Sequence, residues 1–250
     1  MNSDLDSSRP LPRRALVTGG SGGIGAAVCA ALAASGLHVI VHANTRLDHA
    51  QVLAGQLRAE GGEAEAVAFD LRDAQATRQA LAALLEDGPI QVLVNNAGVH
   101  DDAVFPGMRE EQWDRVIDVS LNGFYRVTQP LMLPMIRTRW GRVITITSVS
   151  AILGNRGQVN YAAAKGALHA ATRSLALEVA SRGITVNAVA PGIIDTPMSE
   201  GRFDRETIAR LVPAQRAGTP AEVADLVAFL ASERAGYING QVISINGAMA

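Results

Sequence analysis

Short apolar runs rich in β-branched residues alternate along the chain with longer segments whose apolar positions recur at a helical period. The short runs predict seven strands, which are centred near Ala15, Val39, Val67, Leu93, Ile144, Val186 and Ile243. Helices fit between these strands, for example over residues 73–86, 111–137 and 159–181. Nearly continuous apolar strands that alternate with helices are typical of a parallel sheet covered on both faces. The pattern therefore predicts an α/β fold.

Parallel strands joined by right-handed crossovers form a doubly wound sheet, so we expect a seven-stranded Rossmann fold with helices on both faces. The chain shows no repeat, low-complexity tract or linker. We therefore predict one domain over residues 13–250, preceded by a flexible tail over residues 1–12. Ligands of such sheets bind beyond the carboxyl ends of the strands. The segments that follow strands here read TGGSGGIG, NNAG, SVS and PGIIDT.

The composition fits this fold and narrows the choice of partners. Of the 250 residues 48% are hydrophobic but only 4% are aromatic, which predicts a core of Ala, Val, Leu and Ile. A net charge of −2 without a basic run argues against nucleic acid or a membrane as partner. The single cysteine, Cys29, cannot form an internal disulfide, and the polar N-terminal segment lacks the apolar core of a signal peptide. We expect a cytoplasmic protein.

Three histidines, His38, His42 and His49, lie close together in the sequence. Their spacing matches neither a helical H-E-x-x-H site nor a site shared with cysteine. We interpret them as surface histidines and predict no metal site.

The glycine-rich segment over residues 18–25 follows the first strand and opens a helix. Its glycines satisfy G-x-G-x-x-G through Gly20, Gly22 and Gly25, and G-x-x-x-G-x-G through Gly19, Gly23 and Gly25. Glycines let the backbone approach a pyrophosphate closely, and a helix N-terminus favours its negative charge. A tight turn also needs glycine, but the position in the first βα unit favours dinucleotide binding.

The ends of the second and third strands bear on which dinucleotide is bound. The second strand ends in HANTR without a carboxylate before Asp48, so Asn44, Thr45 and Arg46 could hold a 2′-phosphate, although Arg46 could also be simply solvated. We therefore predict NADP(H) in preference to NAD(H). Asp70, at the end of the third strand, could accept a hydrogen bond from adenine or cap the helix that begins near Ala74.

The segment YAAAK contains the only lysine of the chain, since 21 of the 22 lysines and arginines are arginine. Tyr161 and Lys165 are four residues apart, and on a helix they share one face. An ammonium group near a phenol favours the phenolate, which lowers the pKa of the tyrosine and suits it to acid–base catalysis. Ser148, at the end of the fifth strand, could donate to the same substrate oxygen or act as a cap.

Together these segments resemble the short-chain dehydrogenase/reductase family over residues 13–247. NYAAAKGAL, LALEVASRGITVNAVAPG and AEVADLVAFLAS are most similar to its 3-oxoacyl-[acyl-carrier-protein] reductases. The resemblance implies that Tyr161 protonates a carbonyl oxygen as hydride arrives from the nicotinamide. It implies also that Ser148 orients this oxygen, and that Lys165 binds the ribose and tunes Tyr161.

The resemblance also implies a cofactor site. The residues at the phosphates are Gly19, Ser21 and Ile24, with Gly22, Gly23 and Gly25 in the same turn. Asp70 and Leu71 flank adenine, and Asn95, Ala97 and Gly98 lie along the adenosine. Ile194 and Thr196 hold the carboxamide, in the segment that begins at Pro191 and Gly192.

Two positions depart from the family pattern. The family has a catalytic asparagine in an N-L-x-G stretch, where this chain has Ser120, with Asn122 two positions later. Ser120 is a candidate catalytic residue that could bond the water of the proton relay, although we expect the local backbone and Asn122 to hold this water already. NADP-dependent relatives commonly have a basic residue in the position of Gly22.

The resemblance further implies a homotetramer, paired through helices 111–137 and 159–181 and the last strand, and an acidic acyl-carrier protein as partner. Arg139 and Arg182 match docking positions, which we expect near the mouth of the active site, although either could be a solvated surface residue. Alternatives are a reductase of another carbonyl, such as an acyl-CoA, a sugar or a steroid, and a catalytically silent scaffold. The variable segment 198–216 would select the acyl chain.

Overall fold

The computed structural model describes residues 12–197, 199, 201 and 204–250. All seven strands belong to one parallel sheet with the order β3-β2-β1-β4-β5-β6-β7. The strands are β1 Arg14–Val17, β2 His38–Ala43, β3 Glu63–Ala68, β4 Ile90–Asn95, β5 Gly141–Ile146, β6 Ile184–Pro191 and β7 Val242–Ile245. Each contains or adjoins one of the predicted centres, so the predicted α/β, doubly wound fold is confirmed. Residues 1–11 of the predicted tail lie outside the described residues.

Helices cover both faces of the sheet. They are α1 Gly23–Ala34, α2 Leu47–Ala59, α3 Ala74–Glu86, α4 Glu110–Ile117, α5 Gly123–Thr138, α6 Ser150–Leu153, α7 Val159–Val179, α8 Arg205–Leu211 and α9 Pro220–Ala231. In the described ranges, none of the helices combines the length and the apolar character that crossing a membrane requires.

Alternate residues of each strand enter two separate cores. Val17 of β1 and Val39 of β2 pack with α1, α2 and α9, while Leu16 and Ile40 pack on the opposite face with α3, α5 and α7. Each of these side chains is fully buried, and burying one contributes about 1.5–3 kcal/mol of hydrophobic stabilisation. This two-sided burial explains why the strand sequences are almost continuously apolar.

The predicted helix 111–137 is interrupted. Between α4 and α5, residues Asp118–Asn122 form a π-helical turn, which contains one more residue per hydrogen-bonded turn than an α-helix does. The interruption rotates the chain relative to a continuous helix, and Ser120 in its centre is buried.

Two sequence interpretations are corrected by local contacts. The N-cap of α3 is Asp73, whose carboxylate accepts from the backbone N–H groups of Gln75 and Ala76, and not Asp70. His42 is not a surface residue, because it is only 1% exposed at the end of β2.

Candidate active site

A cavity of about 870 Å³ lies at the carboxyl edge of the sheet, beyond the ends of β1, β4, β5 and β6. The predicted residues that line it are Gly19, Gly22, Gly23, Ile24, Ala97, Gly98, Ser148, Tyr161, Lys165, Pro191, Gly192, Ile194 and Thr196. The other predicted residues lie outside its lining, namely Ser21, Gly25, Asn44, Thr45, Arg46, Asp70, Leu71, Asn95 and Ser120. The cavity therefore joins the glycine turn to the tyrosine and the lysine.

Tyr161 and Lys165 lie on the first turns of α7, and Ser148 follows β5. The side chains of Tyr161 and Ser148 both line the cavity. Ser148 Oγ also accepts from the backbone N–H of Ser150, so its capping contact and its place in the cavity coexist. Lys165 Nζ donates to the carbonyl oxygen of Ile146 at 2.8 Å and lies 5.7 Å from the centre of the Tyr161 ring. The three predicted side chains thus converge.

Asn160 fixes the start of α7. Its side-chain oxygen accepts from the backbone N–H of Tyr161 at 2.8 Å, and its amide nitrogen donates to the carbonyl oxygens of Asp101 and Gln112. The residue is fully buried, so these contacts replace all contact with water. Asn160 therefore ties the tyrosine to the loop after β4.

The pKa of Tyr161 departs from the expectation. Burial raises it, the neighbouring side chain of Ser148 partly opposes this shift, and the charge of Asp102 raises it further. We expected the neighbouring ammonium to lower this pKa, but burial disfavours the phenolate and dominates. Burial also lowers the pKa of Lys165 to about 8. Tyr161 accordingly holds its proton at neutral pH and is suited to donate it.

Ser120 lies behind the cavity wall. A Cβ atom on Gly98 would be 3.2 Å from Lys165 Nζ and 3.8 Å from Ser120 Oγ, so the glycine keeps this space open. Among the described residues, Ser120 Oγ has no hydrogen-bond partner. Asn122 does not share this position, because its amide nitrogen donates to Asp118 at 2.6 Å. The part of Asn122 in holding a water stays a prediction.

The glycines of the turn divide into two groups. A Cβ atom on Gly25 would collide with the carbonyl oxygen of Gly19, and Gly19 itself has a φ of +62°. A Cβ atom on Gly22 would meet nothing within 4 Å, and one on Gly23 would meet only Thr196. Gly19 and Gly25 thus allow the two ends of the turn to pack closely against each other. Gly22 and Gly23 leave the backbone at the N-terminus of α1 open to the cavity. This arrangement fits the pyrophosphate of a dinucleotide.

The residues expected around the adenosine lie at the ends of β2 and β3. Arg46 is exposed, forms an ion pair with Asp48 at 3.3 Å and contacts His49. Asp70 pairs with Arg72 at 2.7 Å, and the hydrogen bond from this arginine lowers the pKa of the carboxyl group. Asn44 and Thr45 are exposed, and Leu71 is buried.

Asn96, rather than Asn95, belongs to the cavity wall. Asn95 is buried and donates to Thr128 Oγ1 at 3.1 Å. Asn96 lines the cavity, and its amide donates to the carbonyl oxygens of Thr18 and Gly19, both at 3.0 Å. The asparagine doublet was visible in the sequence, but only the strand register shows which of the two faces the glycine turn.

The wall around Tyr161 contains residues that the sequence analysis missed. Gln158 donates to both carboxylate oxygens of Asp102 at 3.1 Å, and its own oxygen accepts from Ser150 and Asn155. Other lining residues that the sequence analysis did not single out include His100, Leu153 and Met249. They come from separate parts of the chain and carry no motif. Ile193 and Leu211 also line the cavity, the first from the segment PGIIDT and the second from the expected selector segment. Of the expected selector segment 198–216, Met198 lies outside the described residues, as do positions 200, 202 and 203.

Arg139 and Arg182 do not lie at the mouth of this cavity. Arg139 precedes β5 and Arg182 precedes β6, so both are at the amino edge of the sheet, and both are exposed. The six residues of β5 span about 20 Å between that edge and the cavity. The expectation of docking cations near the mouth is therefore wrong within one chain. In the part of the chain that the structure describes, no group of three or more His, Cys, Asp or Glu could hold a metal ion.

Comparisons with known proteins agree with this geometry. The family model of the short chain dehydrogenases matches residues 13–207. The chain is 44% identical to 3-oxoacyl-[acyl-carrier-protein] reductase FabG of Aggregatibacter actinomycetemcomitans, over 94% of this chain and 98% of that protein. It is 43% identical to Nodulation protein G of Rhizobium sp. (strain N33), over 95% and 97% of the two chains. It is also 43% identical to 3-oxoacyl-[acyl-carrier-protein] reductase of Synechocystis sp., over 94% and 96%. The chain thus belongs to the short chain dehydrogenase family and is an oxidoreductase.

Proposed function

We propose that this protein reduces the 3-oxo group of an acyl thioester, carried on acyl-carrier protein, to a 3-hydroxyl group with NADPH. The observation that carries the proposal is the convergence of Ser148, Tyr161 and Lys165 on one cavity with the glycine turn. Relatives whose names state this activity are 43–44% identical over nearly the whole chain, which supports the choice of substrate.

A nicotinamide cofactor, when bound beside the glycine turn, would supply hydride to the carbonyl carbon. Ser148 and Tyr161 line the same cavity, and a carbonyl oxygen between them would accept from both hydroxyl groups. Such donors stabilise the negative charge that develops on the oxygen as the carbon is reduced. Tyr161 then donates its proton, which burial has kept in place.

Lys165 has two tasks in this mechanism. Its Nζ is held by the carbonyl oxygen of Ile146, within 6 Å of the Tyr161 ring, and it keeps two further N–H groups for the ribose hydroxyls. A lysine with a pKa of about 8 is also protonated at neutral pH, so its charge stabilises the tyrosinate after proton transfer.

The preference for NADP(H) is part of the proposal. Arg46 lies just beyond β2, and the first carboxylate after that strand is Asp48, which already pairs with it. A guanidinium group at this position can pair with a 2′-phosphate, whereas an acidic residue would repel it.

We also retain the homotetramer and the docking role of Arg139 and Arg182 as proposals. Exposed apolar side chains on α5 and α7, such as Leu133 and Leu177, provide surfaces for pairing. Because the two arginines lie at the edge opposite the cavity, a carrier bound there serves a cavity of another protomer or reaches its own through an extended arm.

One observation favours a second candidate, a reductase of a more polar carbonyl compound. The wall near Tyr161 carries His100, Asp102, Asn155 and Gln158, which are not typical of an acyl-chain tunnel. A panel of 3-oxoacyl thioesters on carrier protein and on coenzyme A, together with sugar and steroid ketones, separates the candidates. We expect NADPH oxidation to be fastest with the carrier-bound thioesters. A higher kcat/KM for the sugars or steroids would contradict the proposal.

A further inference from the structure

His42 is the last but one residue of β2 and lies between two ends of the predicted nucleotide site. On one side is the glycine turn after β1, and on the other is Phe69, directly after β3. The histidine is 1% exposed, and its ring centre lies 4.2 Å from that of Phe69. No contact used in the proposed mechanism involves it.

Both ring nitrogens of His42 are engaged by backbone groups. Nε2 lies 2.9 Å from the carbonyl oxygen of Phe69, which can only accept, so this nitrogen carries the proton. Nδ1 then has a free lone pair and accepts from the backbone N–H of Gly19 at 3.1 Å. The backbone carbonyl oxygen of His42 accepts in addition from the N–H of Gly20 at 2.8 Å. The two contacts fix one neutral tautomer.

We propose that His42 is a positioning residue for the dinucleotide, which holds the glycine turn in register with the segment Phe69–Asp70–Leu71. The glycine turn is the site for the pyrophosphate and the segment after β3 is the site for the adenine. The imidazole is a rigid spacer between these two, through Gly19 and Phe69. The inference rests on the proposed function only in requiring that a nicotinamide dinucleotide binds at this turn.

Three features of Gly19 support a positioning role over simple core filling. Its N–H points at His42 rather than at the cavity, and its φ of +62° lets the following backbone turn toward α1. Its carbonyl oxygen accepts from Asn96 on the opposite side. The peptide groups on both sides of Gly19 are therefore held by side chains, and loss of the histidine contact leaves the Gly19 N–H without this acceptor.

Three substitutions separate the two contacts. The amide oxygen of His42→Asn can occupy the position of Nδ1 and keep the contact to Gly19, whereas the amide nitrogen of His42→Gln reaches the position of Nε2 and keeps the contact to Phe69. His42→Leu removes both and keeps an apolar volume. Ile40→Val, on the same face of β2, is the control for loss of stability without a change at the glycine turn.

The test is direct titration of the purified variants with NADPH, followed by protein fluorescence or calorimetry, together with thermal unfolding. We expect His42→Leu to raise the Kd about 10-fold or more, because the glycine turn is then no longer held in the geometry that binds the pyrophosphate. His42→Asn keeps the contact to Gly19 but loses the one to Phe69, so it should raise the Kd less than His42→Leu does, and Ile40→Val should lower Tm without changing the Kd. In turnover assays the KM for NADPH should rise with a nearly unchanged kcat.

A folded His42→Leu that binds NADPH as tightly as the wild type overturns the inference. If His42→Leu does not fold, the comparison of His42→Asn with His42→Gln decides. His42→Gln binding NADPH as tightly as His42→Asn, or more tightly, contradicts a role through Gly19. A wild type that binds NADPH but reduces no 3-oxoacyl thioester refutes the proposed function and leaves the inference standing. A wild type that binds no dinucleotide refutes both.

Discussion

At the scale of single residues, burial decides the chemistry of the site more than the spacing of charges does. The four-residue separation of Tyr161 and Lys165 predicted that the two side chains share a helix face, and they do. Sequence spacing could not show how far the surrounding protein would shield the two groups from water, which raises the pKa of the tyrosine and lowers that of the lysine to about 8. The free protein is thus set to donate a proton from Tyr161.

Ser120 gives a prediction at this scale. Its hydroxyl group has no hydrogen-bond partner among the described residues, so its removal breaks no contact within them. We expect Ser120→Ala to keep turnover within about tenfold of the wild type, since one hydrogen bond to water is worth about 1 kcal/mol. Steady-state kinetics with saturating NADPH measure this. A loss of a hundredfold or more would show that the hydroxyl group has taken over the catalytic role of the family asparagine.

His42 predicts how stability depends on pH. Burial lowers its pKa from 6.5 to about 4, so the unfolded chain binds a proton more readily than the folded one. The contribution of neutral His42 to the free energy of unfolding is therefore fully present above pH 6.5. It is lost as the pH falls toward 4, by about 3 kcal/mol in total. Urea unfolding between pH 7 and 4 should show a shallower decline for His42→Asn. Parallel declines of variant and wild type would contradict this.

At the scale of the elements, the apolar pattern predicted the strands because burial on both faces leaves a strong signature in each. It predicted the helix 111–137 as continuous. The π-turn at Asp118–Asn122 adds only one residue to a long helix, and this hardly changes the helical period of the apolar positions. The pattern also offered Asp70 as a cap of α3 and placed Asp73, the actual N-cap, inside the helix. Both residues precede the helix, and only backbone direction distinguishes them.

The N-terminus of α1 gives a prediction about cofactor choice. Gly22, its N-cap, has extended backbone angles that any residue adopts, and it faces open space. We expect Gly22→Arg to fold normally and to lower the KM for NADPH about tenfold relative to that for NADH, because the guanidinium group can pair with the 2′-phosphate. Gly22→Ala is the control and should leave the ratio unchanged. An unchanged ratio in both variants would place the 2′-phosphate elsewhere.

At the scale of the whole molecule, the two edges of the sheet have different roles. The cavity lies at the carboxyl edge, as the rule for doubly wound sheets predicted from the sequence. Arg139 and Arg182 precede β5 and β6, which already implied that they lie at the opposite edge. We nevertheless expected them near the cavity mouth because of the docking role that we assigned to them. The predicted start of the domain at residue 13 stays a prediction, because composition alone does not determine where a domain begins.

The docking proposal is tested at this scale by charge reversal. We expect the pair Arg139→Glu and Arg182→Glu to raise the KM for a carrier-bound thioester at least about tenfold, because like charges then face an acidic carrier. The KM for the same acyl group on coenzyme A should hardly change, since that substrate needs no docking surface. Equal effects on both substrates would mean that the arginines serve stability or assembly instead.

The central claim is that Tyr161 delivers a proton during reduction of a 3-oxoacyl thioester by NADPH. The most direct measurement compares the wild type with Tyr161→Phe, by NADPH titration and by turnover of a 3-oxoacyl thioester on carrier protein. We predict a Kd for NADPH within about threefold, because the ring stays, and a turnover at least about a thousandfold lower, because the proton donor is gone. Turnover of Tyr161→Phe within tenfold of the wild type would contradict the claim.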